Sequence, residues 1–382
     1  MTPAKPSLDL LRSLTDEHVL RALMEERRLT RAQLAVRTGI SKPTVSDSVH
    51  RLTAAGLLRD TGERTTGRGR VGSYYALDKG LGSALVMSIA PEGIVAEMID
   101  VYGEVISREL EHLSRSARPA QVTRGLRAAA SRVQTGTGAP SRLAVVSAAD
   151  PVDRFTGRLV QLPDAPFLLG ELSPADALAQ LVGGPITVDN DVHWAARAER
   201  QAAGPGELDD FAYVYLGEGL GCAIVSDGEV RRGHRGIAGE IAHVVTRGPH
   251  GRAIQFTDVF AELHVRHAAS TAVDSTALLR RVQAGGGEAQ RVRSALAEAI
   301  CGVLAAVVAF ADPQLVVIGG MWGPHPTILE SVSREFERLP RHVPVRAAQV
   351  TVEPSLAGAR HQALQDLRAA ILRQCHAVGL LE

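Results

Sequence analysis

Lysine is scarce in this sequence, and net charge is absent. Lys5, Lys42 and Lys79 are its three lysines among 42 basic residues, so the other 39 are arginines. Acidic residues also number 42, which gives a formal net charge of zero. Overall charge therefore supplies no attraction to nucleic acid, and any DNA binding must come from a local basic surface. The arginine excess pervades the chain and is weak evidence for function.

Cysteine and long apolar runs are also scarce. Cys222, Cys301 and Cys375 are odd in number and far apart, which predicts neither a disulfide framework nor a cysteine metal site. The N-terminal residues lack the charged-then-apolar pattern of a secretory signal. The longest apolar run, residues 299–311, is shorter than the roughly 18 residues of a membrane span. We expect a cytoplasmic protein in which this run forms a buried helix, with no membrane partner.

The pattern along the chain predicts more than one folding unit, as expected for 382 residues. Residues 1–14 carry no clear fold signal and form an N-terminal extension. Helical periodicity, a glycine-rich basic stretch and a short strand pattern predict a mostly α-helical winged helix-turn-helix domain over 15–77. A linker at 78–83 precedes a body, 84–382, in which strands and helices alternate as in α/β proteins.

The predicted DNA-reading element is the third helix of the N-terminal domain. Thr30 and Ser41 stand at N-cap positions of the second and third helices, and Gly39 lies in the turn between these helices. With Val45 and its helical neighbours facing inward, one outward face carries polar groups that suit the major groove. This face and its cap comprise Ser41, Lys42, Pro43, Thr44, Ser46, Asp47, His50 and Arg51.

The predicted contacts differ in kind. Lys42 and Arg51 suit phosphates, whereas Asp47 either accepts from a cytosine amino group or points aside. Arg68 and Arg70 lie in a flexible Gly-Arg-Gly-Arg wing that suits the DNA backbone or a narrow minor groove. Residues 16–70 hold eleven basic and seven acidic residues, so the domain carries the local positive charge. The alternative is a small helical protein-interaction module with a charged loop.

Four segments of the body together resemble the ROK family of repressors, open reading frames and sugar kinases. They are an Asn-Asp-x-x-x-x-Ala-x-x-Glu stretch at 190–199, a glycine-rich loop at 216–225, a Gly-Glu-x-x-His motif within 233–244, and Asp-Pro-Gln-Leu-Val-Val-Ile-Gly-Gly at 312–320. The segments follow the family order. ROK regulators commonly carry a winged helix in front, and those for N-acetylglucosamine and xylose are similar to this chain.

The resemblance implies a two-lobed α/β body of the actin, Hsp70 and sugar-kinase type with a cleft between its lobes. Asp191 stands where the family's kinases place the base that accepts the proton of the attacking sugar hydroxyl, and Asn190 stands at a sugar-binding position. Glu240, His243 and Glu262 match further sugar-contacting residues. The resemblance therefore implies a sugar or sugar derivative as the ligand of the cleft.

The groups that hold ATP phosphates in the family are replaced here. The family's Asp-x-Gly-x-Thr turn reads Ser88-Ile89-Ala90-Pro91-Glu92. Pro91 has no N–H to donate, and Glu92 places an anion where phosphate must bind. The second loop gains Glu218 and has Ala223 in place of a glycine. Because phosphoryl transfer depends on neutralising phosphate charge, these changes predict no kinase activity and no nucleotide cofactor.

The zinc ligands of many ROK members are also replaced. After His243, the three family cysteine positions hold Ala253, Gln255 and Phe260, so we expect no metal there. Without zinc, we expect packing by Ile254 and Phe260 to stabilise the segment. The loss of zinc also makes the position of Glu262 at the sugar less well determined than in the family.

These residues and the resemblance predict a cytoplasmic transcriptional regulator that binds a roughly palindromic operator as a homodimer or higher oligomer and is controlled by a sugar or sugar derivative. Repressors occur in the family, but the sequence leaves repression and activation both open. Two alternatives remain: a sugar kinase fused to a DNA-binding domain, and a regulator with a vestigial pocket that a protein partner switches.

Overall fold

The computed structural model describes residues 8–66, 71–114, 117–135, 141–162, 167 and 171–379. Its N-terminal part is a helix-turn-helix with a three-stranded sheet of order β1-β3-β2, and its body contains two five-stranded sheets. The elements of the N-terminal part are α1 (Leu8–Glu26), β1 (Leu29–Thr30), α2 (Arg31–Thr38), α3 (Lys42–Ala54), β2 (Leu58–Arg64) and β3 (Ser73–Leu77).

Local sequence signals fix the ends of α2 and α3. Thr30 and Gln33 form a reciprocal capping box at the start of α2, and Gly39 ends that helix with φ 71°. Ser41 caps α3 by accepting a hydrogen bond from the Thr44 N–H, and Pro43 occupies the first turn. The predicted caps are therefore confirmed, and they set the angle at which α3 leaves the turn.

The first lobe contains a mixed sheet of order β6-β5-β4-β7-β8, in which β6, β5 and β4 form antiparallel hairpins and β7 and β8 are parallel to β4. Helix α4 packs on one face of this sheet. Its elements are β4 (Ser83–Ala90), β5 (Gly93–Ile99), β6 (Val105–His112), α4 (Pro119–Gln134), β7 (Ser141–Ala148), α5 (Pro174–Leu178), β8 (Ile186–Asn190) and α6 (Asp191–Ala203).

The second lobe repeats this scheme with a sheet of order β11-β10-β9-β14-β15, in which β14 and β15 are parallel to β9. Strands β12 and β13 pair separately. Its elements are β9 (Phe211–Leu216), β10 (Leu220–Ser226), β11 (Glu229–Val230), β12 (Val245–Arg247), β13 (Ala253–Gln255), α7 (Phe256–Glu262), α8 (Ser275–Gln283), α9 (Gly286–Ala311), β14 (Leu315–Gly319), α10 (Pro326–Phe336) and β15 (Val345–Ala347).

One further helix, α11 (Pro354–Gly379), joins the body to the DNA-binding domain. It packs against α6, β4 and β7 of the first lobe and also against α1. Leu367 and Ile371 of α11 share a hydrophobic cluster with Val19 and Leu23 of α1. Arg368 donates hydrogen bonds to the Met24 carbonyl oxygen at 2.9 Å and to the Val101 carbonyl oxygen at 3.0 Å. The winged helix and the first lobe are therefore packed around one continuous core.

The structure departs from the sequence expectations at the N-terminus. Helix α1 begins at Leu8, inside the segment 1–14 in which the sequence pattern carries no fold signal. Helix α9 is long and apolar enough to cross a membrane by length and composition, and half of its most apolar stretch is buried. Leu296, Ile300 and Leu304 of α9 lie in the hydrophobic core of the second lobe, as expected of a core helix. The domain limits 15–77 and 84–382 remain a proposal.

Candidate functional site

The outward face of α3 presents most of the predicted DNA-contacting groups to solvent. Val45, Val49 and Leu52 are buried beneath it. Ser46 is half-buried, and the Ser41 and Thr44 hydroxyls lie 2.7 Å apart. The exposed members of the predicted set are Ser41, Lys42, Pro43, Thr44, Asp47 and His50.

Arg51 differs from its neighbours because its guanidinium has a partner within the domain. Its Nη2 donates to Asp16 Oδ1 at 2.7 Å and its Nε to Asp16 Oδ2 at 3.2 Å. The buried Ser48 hydroxyl also donates to Asp16, at 2.5 Å. Arg51 therefore holds α3 against α1, which is a structural role that the sequence pattern did not reveal.

The wing is described only at its base. Arg68 and Arg70 lie outside the described residues, so their predicted DNA contacts remain predictions. At the base, Arg64 donates to Asp60 at 2.9 Å, while Arg28 lies over the ring of Tyr74. These contacts fix the strands from which the wing leaves the domain.

The candidate ligand site is a cavity of about 1340 Å³ between the two lobes of the body. The carboxyl ends of β7 and β8 point toward it, which is where open α/β sheets bind ligands. It is lined by the β4–β5 turn, by the β9–β10 turn, by the β8–α6 junction, by Glu240 and by the first residues of α11. Both lobes therefore contribute to one site.

Asn190 and Asp191 stand at the β8–α6 junction and line the cavity. The Asn190 side chain caps α6 by accepting from the Val192 N–H at 3.0 Å, and its amide nitrogen lies 3.4 Å and 3.3 Å from the carbonyl oxygens of Ala148 and Asp150. Burial raises the pKa of Asp191 to about 6, and the charge of Glu92 adds to that rise. Asp191 is therefore placed as a hydrogen-bond acceptor in the cavity.

The replaced phosphate loops face the same cavity. Pro91 and Glu92 form the turn between β4 and β5, and Glu218 lies in the turn between β9 and β10. Tyr215 lines the cavity beside these turns. Burial and the negative charges of Asp191, Glu92 and Glu218 all raise the pKa of its phenol. The two substituted turns therefore place negative charge beside the residue that matches the family's catalytic base.

Glu240 reaches the cavity because of an unusual backbone position before it. Gly239 has φ 95°, and a Cβ there would lie 1.8 Å from the Cys222 carbonyl oxygen, so only glycine fits. Burial and the charge of Asp191 raise the pKa of Glu240 to about 7. Asp191 and Glu240 therefore act on one another electrostatically across the cleft.

His243 and Glu262 are placed differently from the other predicted sugar-contacting residues. His243 Nδ1 lies 2.8 Å from Gln255 Oε1, and Glu262 accepts a hydrogen bond from Arg252 at 2.9 Å. Neither is among the described residues that line the cavity. The structure thus brings Asn190, Asp191 and Glu240 together at the cavity. His243 and Glu262 instead contact the neighbouring side chains of Gln255 and Arg252.

The segment that carries zinc ligands in many ROK members, residues 243–260, is held together by packing in this protein, as the sequence predicted. Ala253 and Gln255 lie on β13, which pairs with β12, and the bond between Gln255 and His243 joins two of the positions that a metal would bridge. Phe260 is fully buried, with its ring centroid 5.4 Å from that of Phe256 and 5.6 Å from that of Trp322. Within the described ranges, no group of three or more histidine, cysteine or acidic side chains is placed to hold a metal ion.

Sequence reasoning missed a pair of ion-pair contacts between the lobes, which we call the arginine clasp: Arg232 with Asp189, and Arg235 with Asp153. The second-lobe arginines approach these carboxylates at 3.1 Å and 2.6 Å. Burial opposes the charge of Asp189, yet His193 at 2.8 Å together with Arg197 and Arg232 lowers its pKa to about 2. Arg232 and Arg235 precede Glu240 in the chain. The clasp therefore holds the segment that leads to Glu240 against the first lobe.

His267 was also missed as a cavity residue. It lines the cavity, with its Nε2 3.5 Å from Glu218 Oε1. No local signal marked it, because the contact depends on the packing of the segment after α7 against the β9–β10 turn.

Comparisons with known proteins identify both parts of the chain. A model of the ROK family matches residues 94–364, and a model of the MarR family matches residues 14–69. The chain is 31% identical to N-acetylmannosamine kinase of Salmonella heidelberg over 194 residues, which are 48% of this chain and 66% of the kinase. It is 32% identical to the bifunctional enzyme NanE/NanK of Brucella suis over 141 residues, which are 36% of this chain and 27% of that enzyme. The chain thus spans less than two thirds of the length of these curated relatives.

Solved structures show the same architecture. A ROK family transcriptional regulator described as a homolog of the E. coli MLC protein aligns with a TM-score of 0.64 and 17% identity, over 96% of this chain and 99% of that one. The ROK family glucokinase from Streptomyces griseus, in complex with glucose and AMPPNP, aligns with a TM-score of 0.57 and 22% identity, over 74% of this chain and 100% of that one. At these identities the likeness shows the fold. Together with the family match over most of the body, it establishes that this chain belongs to the ROK family and carries a MarR-type helix-turn-helix domain in front of the family's body.

Proposed function

We propose that this protein is a transcriptional regulator whose binding to operator DNA is controlled by a sugar or sugar derivative in the interlobe cleft, and that the cleft does not transfer phosphate. The MarR-type helix-turn-helix and the exposed face of α3 support DNA binding. The chain acts as a homodimer or higher oligomer on a palindromic operator, with half-sites separated by about 34–36 Å or a multiple of that distance.

One observation carries the proposed loss of kinase activity. Glu92 and Glu218 occupy the two turns that would receive the phosphates of ATP, and both line the cavity that contains Asp191. Pro91 removes a backbone donor from the first turn. A triphosphate in this cavity meets carboxylates where it needs N–H groups and a metal ion, so its binding is unfavourable.

The regulatory link follows from the two ends of α11. Its first residues, Pro354 to Leu356, line the cavity, while Leu367 and Ile371 pack with α1. A ligand that binds one arrangement of the lobes more tightly than another shifts the population between them, and α11 carries that difference to the DNA-binding domain.

A second candidate is a regulator with a vestigial pocket that a protein partner switches. One observation favours it: His243 and Glu262 bond to Gln255 and Arg252 and are not among the described lining residues. The surviving Asn190, Asp191 and Glu240 at the cavity favour the first proposal.

The deciding experiment measures catalysis and regulation on the same full-length protein. We expect no ADP formation above background from ATP, Mg²⁺ and either N-acetylmannosamine or glucose, with a ROK glucokinase as the positive control. DNA fragments that the protein selects from a random library serve as the operator. We expect at least one sugar to change the affinity of the protein for these fragments. Asp191→Ala should weaken this response and retain DNA affinity, whereas Asp176→Ala, at an exposed carboxylate of α5, should leave both unchanged. Sugar-dependent ATP hydrolysis would contradict the proposal, and a DNA affinity indifferent to every sugar would favour the second candidate.

A further inference from the structure

The charge around the cavity is strongly one-sided. Five carboxylates line it among the described residues, together with one guanidinium, that of Arg108, and one imidazole, that of His267. Arg108 forms ion pairs with Glu97 and with Glu353, one of the five. Its charge is therefore shared between those two acids, while among the other four carboxylates Glu218 has the imidazole of His267 3.5 Å away. Those four are Glu92, Asp191, Glu218 and Glu240.

The four carboxylates converge from separate parts of the fold. Glu92 lies in the β4–β5 turn of the first lobe and Glu218 in the β9–β10 turn of the second, while Asp191 begins α6 and Glu240 follows the arginine clasp. Glu92 is exposed, whereas Asp191, Glu218 and Glu240 are half-buried. Acidic side chains from both lobes therefore surround one cavity.

The ring of Tyr215 stands within this group. It lines the cavity on β9, as do Glu92, Asp191 and Glu218, and burial together with the charges of these carboxylates raises its pKa. An aromatic ring and carboxylates that line one cavity can together stabilise an organic cation, because the ring quadrupole and the carboxylates both attract positive charge. Apolar surface at Leu220 and Leu356 lines the same cavity and suits a carbohydrate ring rather than a bare metal ion.

The electrostatics discriminate among ligand classes. A phosphorylated or acidic sugar brings further negative charge into the cavity and is repelled. A neutral sugar can accept and donate hydrogen bonds there, but it leaves the repulsion among the carboxylates in place. A ligand with an ammonium group relieves that repulsion and forms charge-assisted hydrogen bonds, which are stronger than neutral ones.

We propose that the cleft selects a sugar bearing a protonated amine, with the ammonium group seated among Glu92, Asp191 and Glu218 beside Tyr215. The sugar hydroxyls lie toward Asn190 and Glu240. This proposal rests on the sugar-controlled function proposed above and assigns its ligand class: an unacetylated amino sugar, or a short oligomer of such units. The turn that receives phosphate in a ROK kinase receives an amine in this protein.

The test compares sugars that differ at one group. Binding of D-glucosamine, N-acetyl-D-glucosamine and D-glucose to the full-length protein is measured by calorimetry at about pH 7, with mannosamine and galactosamine and their acetylated forms as epimers. We expect at least one amine sugar to bind about 10- to 100-fold more tightly than its acetylated counterpart, which is the range of one to two charge-assisted contacts. Added salt should narrow this preference, because screening weakens charge attraction.

Matched variants locate the ammonium seat. Glu92→Gln and Glu218→Gln should each reduce the preference for the amine about tenfold and affect the affinity for neutral sugars far less. The control is Glu229→Gln, at an exposed carboxylate on β11 outside the cavity, which should retain the preference. Binding of neutral sugars alone, or an amine preference that survives both cavity variants, overturns the amine proposal and leaves the sugar-controlled function standing. Binding of no sugar of either kind overturns both.

Discussion

Asp16 of α1 accepts two hydrogen bonds from Arg51 of α3, at 2.7 and 3.2 Å, and a third from Ser48 at 2.5 Å. The Arg51 side chain is 28% exposed and the Asp16 side chain 11%, so the pair is largely shielded from water. This contact holds α3 against α1 and limits its rotation about its own axis, and therefore helps to determine which side chains of α3 face outward.

Asp16→Ala should destabilise the DNA-binding domain and weaken operator binding. The change leaves Arg51 and Ser48 without their acceptor, which costs about 2–3 kcal/mol when a shielded pair is broken from one side. Urea unfolding and operator titration measure the two effects. Asp47→Ala, at an exposed carboxylate on α3, is the control for stability. Unchanged stability of Asp16→Ala would mean that the contact is dispensable.

Arg68→Ala combined with Arg70→Ala should lower operator affinity and its dependence on salt. Removal of each arginine–phosphate ion pair should reduce the slope of log K against log salt concentration by about 1. Arg64→Ala removes a wing arginine that is bonded to Asp60, so its slope should stay close to that of the unaltered protein. Equal slopes for the double variant and the unaltered protein would place the wing outside the interface.

Ile371→Ala, a change in α11, should weaken the packing of α11 against α1 and so destabilise the DNA-binding domain. Ile371 is fully buried, and removal of its side-chain carbons costs about 2–5 kcal/mol. Leu278→Ala, equally buried in the second lobe, should cost a similar amount. Hydrogen exchange separates the two variants: only Ile371→Ala should accelerate exchange in α1. Equal acceleration by both variants would show that α11 does not stabilise the domain specifically.

The unliganded body should lose stability as pH rises from about 4 to 7. Burial raises the pKa of Asp191 to about 6 and of Glu240 to about 7, above the ordinary values of about 4 that apply after unfolding. In this window the native state binds more protons than the unfolded state, so the free energy of unfolding falls with pH. Glu92 adds negative charge near Asp191, while His193 and His243 oppose the two shifts.

Thermal unfolding between about pH 4.5 and 8 measures this dependence. Asp191→Asn with Glu240→Gln should flatten it, because neither replacement titrates. Asp153 is the control for a titrating acid, since hydrogen bonds from Arg235 and from the Thr156 N–H lower its pKa to about 2, outside the window. A pH profile as steep in the double variant as in the unaltered protein would assign the effect to other groups.

Asp189→Asn should weaken the arginine clasp and the base of α6 together. Asp189 is buried and contacts His193, Arg197 and Arg232, so its neutralisation leaves the two arginines without their counter-charge. We expect a loss of about 3 kcal/mol in urea unfolding. Asp176→Asn, at an exposed carboxylate paired with Arg158, should stay within about 0.5 kcal/mol. A small loss at Asp189 would show that water replaces the contacts.

Local patterns predicted the parts of the sites that depend on near neighbours. The caps of Thr30 and Ser41 follow from three- and four-residue spacings. The resemblance places Glu92 and Glu218 in the two phosphate loops, and in the structure both loops are hairpin turns between neighbouring strands. These features require no knowledge of the rest of the fold.

Contacts between distant segments were not predictable in the same way. Arg51 suited a phosphate by its position on the helix face, but Asp16, 35 residues earlier, takes its guanidinium. Glu262 fits the family pattern by its spacing in the sequence. In the structure, however, its carboxylate accepts a hydrogen bond from Arg252 and does not line the cavity. The apolar residues of α11 do recur at helical spacing, but periodicity cannot say that their partner is α1 at the other end of the chain.

The return of α11 to the first helix has a consequence for synthesis of the protein. Arg368 bonds to Met24 across 344 residues of sequence, and His376 contacts Glu17 across 359. At about 5–20 residues per second, a ribosome needs on the order of 20–70 s to make the intervening chain. During that interval the emerged N-terminal domain lacks the part of its core that α11 supplies, so its packing is completed only when α11 has been made.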